Sequence, residues 1–267
     1  MRFNPLRWIA LWCAMFAAGL LLLAPATCWD SLLRNATQGS FALLAAEGSI
    51  WHGQAQLALL EPASGRQRPV MPVSWRWRPG ALVRGAISWD FSLAASPPFS
   101  LDASLGGLTA RAVRLDLPAQ FALERIPNAI GRVGWHGDMR LTSPQWRCTW
   151  RGRCAGNASL DWLGAAADIF PGRHLGDYKF NANAHDDIID LNWTTADGDV
   201  RIAAHGELVP NRSFSIVGTL SGDPAFTSRL PNIGGHWVHP TDTPGMFTFD
   251  FSSAINQTAN QSTGKIN

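Results

Sequence analysis

The sequence predicts an all-β protein, a curved antiparallel sheet or partly open barrel with one or two short helices, preceded by a single N-terminal transmembrane helix. Three observations lead to this fold class. An uncharged segment follows two arginines at the N-terminus, hydrophobic and polar residues alternate along much of the remainder, and helical patterns are few. Because 46% of the residues are hydrophobic and only 16% are charged, the chain can form a folded core and is not typical of a disordered protein.

The N-terminal segment from Trp8 to Trp29 contains no charged residue and predicts a membrane anchor. As a helix it would span roughly 33 Å, which is enough to cross a hydrocarbon layer of about 30 Å. Arg2 and Arg7 precede it and Asp30 follows it, so we expect the N-terminus in the cytoplasm and the rest of the chain across the membrane. The alternative is a cleaved signal peptide, because Ala24-Pro25-Ala26 fits a cleavage site; both interpretations export the chain from Asp30 onwards.

The charge distribution argues against a nucleic-acid partner. The chain has 22 lysines and arginines against 20 aspartates and glutamates, a formal net charge of +2. Arg2 and Arg7 supply this excess, since 20 basic and 20 acidic residues remain without them. A neutral exported part lacks the basic surface that releases counterions from nucleic acid.

Alternation with a period of two predicts strands with one buried and one solvated face, which is typical of antiparallel sheet. Asp197-Gly198 lies between two such strands and predicts a hairpin turn. The apolar faces of the predicted strands are Val73/Trp75/Trp77, Ile87/Trp89/Phe91/Leu93, Val133/Trp135/Met139/Leu141, Ile189/Leu191/Trp193, Val200/Ile202/Ala204, Phe214/Ile216/Gly218/Leu220 and Phe247/Phe249/Phe251.

Helical signals are confined to two places in the exported part. Pro118 to Ile126 predicts a short helix, and Asp223-Pro224 predicts the start of a second helix that ends near Pro231. Gly234 to Gly245 is interpreted as a loop. The predicted organisation is a cytoplasmic N-terminus over residues 1–7, an anchor over residues 8–29, a β domain over residues 30–251 and a flexible tail over residues 252–267.

A weak internal repeat places tryptophan at the start of two predicted strands. Trp51-His52-Gly53 matches Trp135-His136-Gly137, and a glycine precedes each copy, Gly48 in the first and Gly131 in the second. We predict that these tryptophans are buried and that both histidines are exposed. The alternative is a partly open aromatic face that holds lipid or partner side chains.

Two of the four cysteines predict a disulfide. Cys148 and Cys154 flank a turn at Arg151-Gly152 and can face each other on two antiparallel strands. Such a bond suits an exported domain. Two free thiols are the alternative.

No motif predicts an enzyme, a cofactor or a metal site. The patterns of zinc proteases, phosphate-binding loops and α/β hydrolases are all absent from the sequence. His236 and His239 could ligate a metal, but a third ligand is not evident. His185-Asp186-Asp187 with Asp190 is interpreted as a solvated loop.

Four short patterns, in their order and spacing, resemble protein N of the bacterial type II secretion system, also called general secretion pathway protein N. They are Glu47 to Ala55, which contains Gly48, Trp51 and Gly53; Trp75 to Pro79 with Leu82 and Gly85; Leu115 to Ala119; and Leu175-Gly176-Asp177-Tyr178. The similarity extends from the N-terminal segment to about Phe251, although Arg66 to Pro72 and Pro231 to Pro244 depart from the family pattern. The resemblance implies structural roles for Gly48, Trp51, Gly53, Trp75, Pro79, Gly85, Leu175, Gly176 and Tyr178.

The resemblance also implies a location and a function. The protein would be a single-pass protein of the bacterial inner membrane with a periplasmic domain. It would be a non-catalytic accessory component of the machinery that exports folded proteins across the outer membrane, in contact with other secretion subunits. The alternative function is a lipid-binding β-sheet module anchored in the inner membrane, because a curved sheet rich in tryptophan and phenylalanine could hold acyl chains.

Overall fold

The computed structural model describes residues 12, 15, 16, 19, 23–37, 39–60, 67–94, 96–123, 133–210, 212–227 and 237–254. The chain forms two compact units, unit 1 over Met1–Pro98 and unit 2 over Phe99–Asn267. The boundary between the two units follows the dipeptide Pro97-Pro98.

Unit 1 contains an antiparallel meander of four strands. The order β1-β2-β3-β4 follows the chain, and the ladder is open because β1 and β4 do not pair with each other. A 3₁₀ helix over Pro79–Arg84 connects β3 to β4. The strands are β1 (Phe41–Gly48), β2 (His52–Leu60), β3 (Gln67–Arg78) and β4 (Ala86–Leu93).

Helix α1 (Thr27–Ala36) packs along the outer edge of β1. Its Asp30 carboxylate accepts a hydrogen bond from the Leu43 backbone N–H (2.7 Å), and the Thr37 hydroxyl accepts one from Phe41 N–H (3.1 Å). These bonds occupy backbone donors that an edge strand would otherwise offer to another chain.

Unit 2 contains a longer antiparallel ladder of ten strands. Strands β5 to β12 pair in chain order, followed by β14 and then the short edge strand β13, and the ladder is open because β5 and β13 do not pair. The strands are β5 (Phe99–Ser104), β6 (Gly107–Pro118), β7 (Trp135–Thr149), β8 (Cys154–Ala167), β9 (Gly176–His185), β10 (Ile188–Asp197), β11 (Arg201–Val209), β12 (Ser213–Ser221), β13 (Val238–Pro240) and β14 (Met246–Ala254).

The larger core of unit 2 is formed by residues near the same end of several neighbouring strands. The described residues of the unit form two short helices, α2 (Ala119–Leu123) and α3 (Pro224–Thr227), close to where the sequence predicts them. Ala119 of α2 belongs to this core, which also contains Trp162, Tyr178, Val200 and Phe247. The all-β class, the antiparallel pairing and the Asp197-Gly198 hairpin between β10 and β11 are therefore confirmed.

The structure adds detail at three predicted boundaries. Near the end of the predicted anchor, Pro25 pairs with Ser49, and Trp29 belongs to α1 of unit 1. Residues 234–245 are not all loop, because Val238–Pro240 pairs with β14 as an edge strand. At the predicted start of the tail, β14 continues to Ala254 and pairs there with Ser213.

The predicted membrane anchor lies mostly outside the described residues. Trp12, Met15 and Phe16 have helical backbone and exposed side chains, and Leu23 N–H donates to Gly19 O (3.0 Å). No helix within the described part of the chain is both long and apolar enough to cross a membrane.

Candidate interaction surface

The first family pattern holds the β1–β2 turn against a tryptophan of β3. Gly53 pairs with Trp75, and a Cβ atom on Gly53 would lie 2.6 Å from Trp75 Cζ2 and still closer to the Glu47 carbonyl oxygen. Gly48 has φ +93°, a conformation that favours glycine, and a Cβ atom there would overlap the His52 carbonyl. Trp75 Nε1–H donates to Ser49 O (2.9 Å). These contacts hold the β1–β2 turn close to Trp75.

The same packing of a glycine against a tryptophan occurs within unit 2. Gly137 has φ +112°, and a Cβ atom on it would lie 2.8 Å from the Nε1 atom of Trp162 on the next strand. That nitrogen donates to the His136 carbonyl (3.1 Å). In both units a Trp-His-Gly sequence thus accommodates a tryptophan from the neighbouring strand, and the buried tryptophan is Trp75 or Trp162 and not the one in the repeat.

An aromatic cluster fills the interior of unit 1. The Trp29 ring lies 5.3 Å from Trp89 and from Phe91 by ring centroids, and the Trp51 and Trp77 centroids are 5.0 Å apart. Trp29 and Trp89 both donate their indole N–H to the Ile50 carbonyl, at 3.1 and 3.0 Å. Trp51 and Trp77 are half-buried. The rings pack on one another as a core does.

The remaining family-pattern residues lie at a 3₁₀ helix and at the start of β9. Pro79 begins the 3₁₀ helix and Gly85 ends it in a left-handed conformation at φ +69°. A Cβ atom on Gly176 would lie 2.6 Å from the Asp197 carbonyl oxygen. The Tyr178 hydroxyl contacts the Leu175 and Val200 carbonyl oxygens at 3.3 and 3.1 Å, and burial raises the pKa of Tyr178 well above its usual range.

Several histidines of the described residues lie close to acidic side chains. His52 is exposed as predicted, and the His136 side chain is 45% exposed but has partners, with Nε2 2.6 Å from Asp168 Oδ1 and Nδ1 2.9 Å from Gln120 Nε2. His185 lies 3.4 Å from Asp190. No group of three or more potential metal ligands occurs in the part of the chain that the structure describes, and His236 lies outside it.

A cavity of about 580 Å³ opens on the polar face of unit 1. Its lining includes Glu47, His52, Gln54, Arg76 and Asp90. Some of these groups already have partners: Gln54 donates a hydrogen bond to Glu47 (3.1 Å), and Asp90 pairs with Arg78, which lies outside the lining (3.3 Å). The lining is polar, whereas a site for acyl chains would be mostly apolar.

The predicted disulfide is confirmed between Cys148 and Cys154, which pair directly across β7 and β8. It closes the turn Thr149–Arg153. Within the turn, Thr149 N–H donates to Arg153 O (2.7 Å), Arg153 N–H donates to the Thr149 hydroxyl (3.1 Å), and Gly152 has φ +86°. The disulfide therefore holds the two ends of the turn together, and hydrogen bonds hold the residues within it.

This turn presents an exposed tryptophan beside an exposed leucine. Trp150 is 62% exposed, yet its Nε1–H donates to the Ser104 carbonyl (3.0 Å) in the neighbouring β5–β6 turn. The apex of that turn is Leu105, which is 98% exposed. Arg151 is exposed next to Trp150. We call the two turns, Ser104–Gly107 and Thr149–Arg153, the hairpin-tip surface.

The hairpin-tip surface has the features of an interaction site. Tryptophan and arginine are enriched among residues that dominate binding energy, and a side chain already held in place loses less entropy on binding. Sequence reasoning identified the disulfide but missed Trp150 and Leu105. The available signal was a tryptophan at the apex of a disulfide-closed turn.

Replacing both Cys148 and Cys154 by serine is expected to lower the free energy of unfolding by about 2 kcal/mol. The reason is that a loop of this size restricts the unfolded chain by about that amount. The measurement is a urea titration of the full-length protein in detergent, followed by tryptophan fluorescence. Cys28→Ser is the matched control, because Cys28 is free and half-buried. Equal midpoints for the double variant and the control would contradict the prediction.

One family model matches the chain, described as type II secretion system (T2SS), protein N, and the match covers residues 41–233. It begins at the first residue of β1 and ends beyond α3, so it includes the hairpin-tip surface and excludes β13 and β14. The matched range is narrower than the resemblance from the N-terminal segment to about Phe251. The chain matches no curated protein and no solved structure.

Proposed function

The chain belongs to the protein N family of the type II secretion system, and on that premise we propose that it is a non-catalytic accessory subunit of this system. The subunit is anchored in the inner membrane by residues 8–23, and the strands of both compact units lie in the periplasm. It supports export of folded proteins across the outer membrane by binding other secretion subunits.

The main structural support for this proposal is the hairpin-tip surface. Trp150 and Leu105 are exposed at adjacent turns, while the disulfide and the Trp150–Ser104 hydrogen bond hold the tryptophan in one orientation. Exposed large apolar side chains at a fixed position are the usual centre of a protein–protein contact.

The chemistry of the surface restricts its partner. Arg151 is exposed next to Trp150, Arg147 is exposed on β7 three residues before it, and Arg153 is 3.3 Å from Asp187. The partner therefore presents an apolar pocket for the Trp150 ring with acidic groups at its rim. Anchoring confines both proteins to the same membrane plane, which raises their effective concentration and allows a weak contact to suffice.

The Trp150→Ala protein is expected to bind its secretion subunit about thirtyfold more weakly, since loss of a central tryptophan typically costs about 2 kcal/mol. The measurement uses a photo-crosslinking amino acid at Leu105 in the full-length protein, in cells that carry the complete secretion system. The captured subunit is identified by mass spectrometry, and its yield is compared with and without Trp150→Ala.

Leu163→Ala is the matched control, because Leu163 is an exposed leucine on β8 away from the tip. It should leave the crosslink unchanged. Failure to capture any secretion subunit from Leu105, or equal capture by Trp150→Ala, would refute the contact. Normal export in a deletion strain would show that the subunit is redundant.

The alternative, a lipid-binding module, has weaker support. The tryptophans of unit 1 pack against one another, and the cavity on its polar face is lined by charged and amide side chains. Organic extraction of the purified full-length protein in lipid-free detergent tests this alternative. Stoichiometric co-purified phospholipid that survives detergent exchange would favour it over the subunit function.

A further inference from the structure

The N-terminal segment joins unit 1 at a defined end of its meander. Ile50 N–H donates to Ala24 O (2.9 Å), Pro25 forms a β-bridge with Ser49, and Ala26 N–H donates to Gly48 O (3.2 Å). The apolar run therefore reaches the domain beside the β1–β2 turn, and Leu23, directly before this contact, is exposed.

The connection from β3 to β4 lies at the same end. His52 pairs with Arg76, and Trp77 N–H donates to Trp51 O (2.6 Å), so the last residues of β3 run beside the β1–β2 turn. The 3₁₀ helix Pro79–Arg84 begins two residues later and returns the chain to β4. The 3₁₀ helix and the end of the apolar N-terminal run thus project from one end of unit 1.

The 3₁₀ helix has apolar side chains that are exposed to solvent and do not belong to the core of unit 1. Val83 is 92% exposed and Leu82 is 52% exposed, whereas Ala81 of the same helix is buried. Arg84 follows and is also exposed. A short helix with exposed aliphatic tips and a basic neighbour fits the boundary between lipid headgroups and acyl chains.

We propose that the 3₁₀ helix is a second membrane contact, in which Leu82 and Val83 insert into the outer leaflet of the bilayer that the N-terminal segment enters. Arg84 binds the phosphate groups of the lipids. This contact fixes the orientation of unit 1 on the membrane, whereas a single anchor would leave it free to rotate. The inference rests on the membrane anchor of the proposed function.

Fluorescent labelling of single cysteines tests this contact in full-length protein reconstituted at low density in vesicles of phosphatidylethanolamine and phosphatidylglycerol. An environment-sensitive dye is placed on Val83→Cys in a background with Cys13→Ser and Cys28→Ser, while the Cys148–Cys154 disulfide remains intact. Emission should shift to shorter wavelength, and spin labels on the lipid acyl chains should quench it.

Two controls separate the possible outcomes. Gln67→Cys is exposed at the opposite end of β3, roughly 36 Å away along the strand, and its dye should remain in water. The native Cys13, retained as the sole reactive cysteine in a separate protein, reports on the anchor. Arg84→Glu should reduce the Val83 signal in vesicles rich in phosphatidylglycerol.

A quenched dye at Cys13 with an unshifted dye at Val83→Cys would overturn the second contact and leave the anchor in place. Unquenched dyes at both positions would overturn the anchor and the second contact together. A protein-only contact of the 3₁₀ helix gives no shift in these vesicles and counts against the proposal.

Discussion

The Gly53→Ala protein is expected to lose about 3 kcal/mol of folding free energy, a large part of the stability of a domain of this size. The added methyl group would meet both the Trp75 ring and the Glu47 backbone carbonyl. The ring cannot move aside freely, because Trp75 is 2% exposed and donates a hydrogen bond to Ser49. The measurement is the urea midpoint of the full-length protein in detergent.

Gly80→Ala is the matched control within unit 1. Nothing lies within 4 Å of a Cβ atom built on Gly80, so this change should shift stability by less than about 0.5 kcal/mol. If the Gly53→Ala and Gly80→Ala proteins unfold at the same urea concentration, the close packing of Gly53 against Trp75 does not contribute to the folding free energy.

The Trp29→Ala protein is expected to lose about 3 kcal/mol and to release α1 from unit 1, because a half-buried aromatic side chain that packs on three other rings is truncated. The ring contacts Trp75, Trp89 and Phe91, and its N–H donates to the Ile50 carbonyl. Two measurements check this: the urea midpoint, and the rate of trypsin cleavage after Arg34 in the last turn of α1.

Leu32→Ala is the control on the same helix, since Leu32 is 54% exposed. It should change neither the urea midpoint nor the cleavage rate appreciably. Slow cleavage in Trp29→Ala, equal to that of the unaltered protein, would show that α1 is held by other contacts. The result matters for function because α1 connects the N-terminal segment to the folded units.

Much of the sheet could be predicted from local patterns. Alternation identified the buried faces, as the pairing of Trp193 with Phe180 and Ala204 across β9, β10 and β11 illustrates. The turn Asp197-Gly198 and the cysteines flanking Arg151-Gly152 fixed two hairpins. These features depend on neighbours within a few residues, which a sequence displays directly.

Features that depend on distant residues could not be predicted in this way. Edge strand β13 has no alternating pattern of its own and exists because β14 offers a free edge. Trp29 suited a membrane interface as well as a protein core, and only its contact with β4 decides between them. His136 gained partners in Gln120 and Asp168, 16 and 32 residues away along the chain.

The sequence by itself determined the all-β class, the antiparallel strands, the disulfide and the resemblance to the secretion family. Each of these follows from the types of residue and from their spacing along the chain. Only the tertiary structure decided which tryptophans form the core and which reach solvent. Trp75 is buried, whereas Trp77, which the same alternation places on the apolar face of β3, is only half-buried. The physical reason is that burial depends on what packs across from a side chain, and distant strands and turns supply those neighbours.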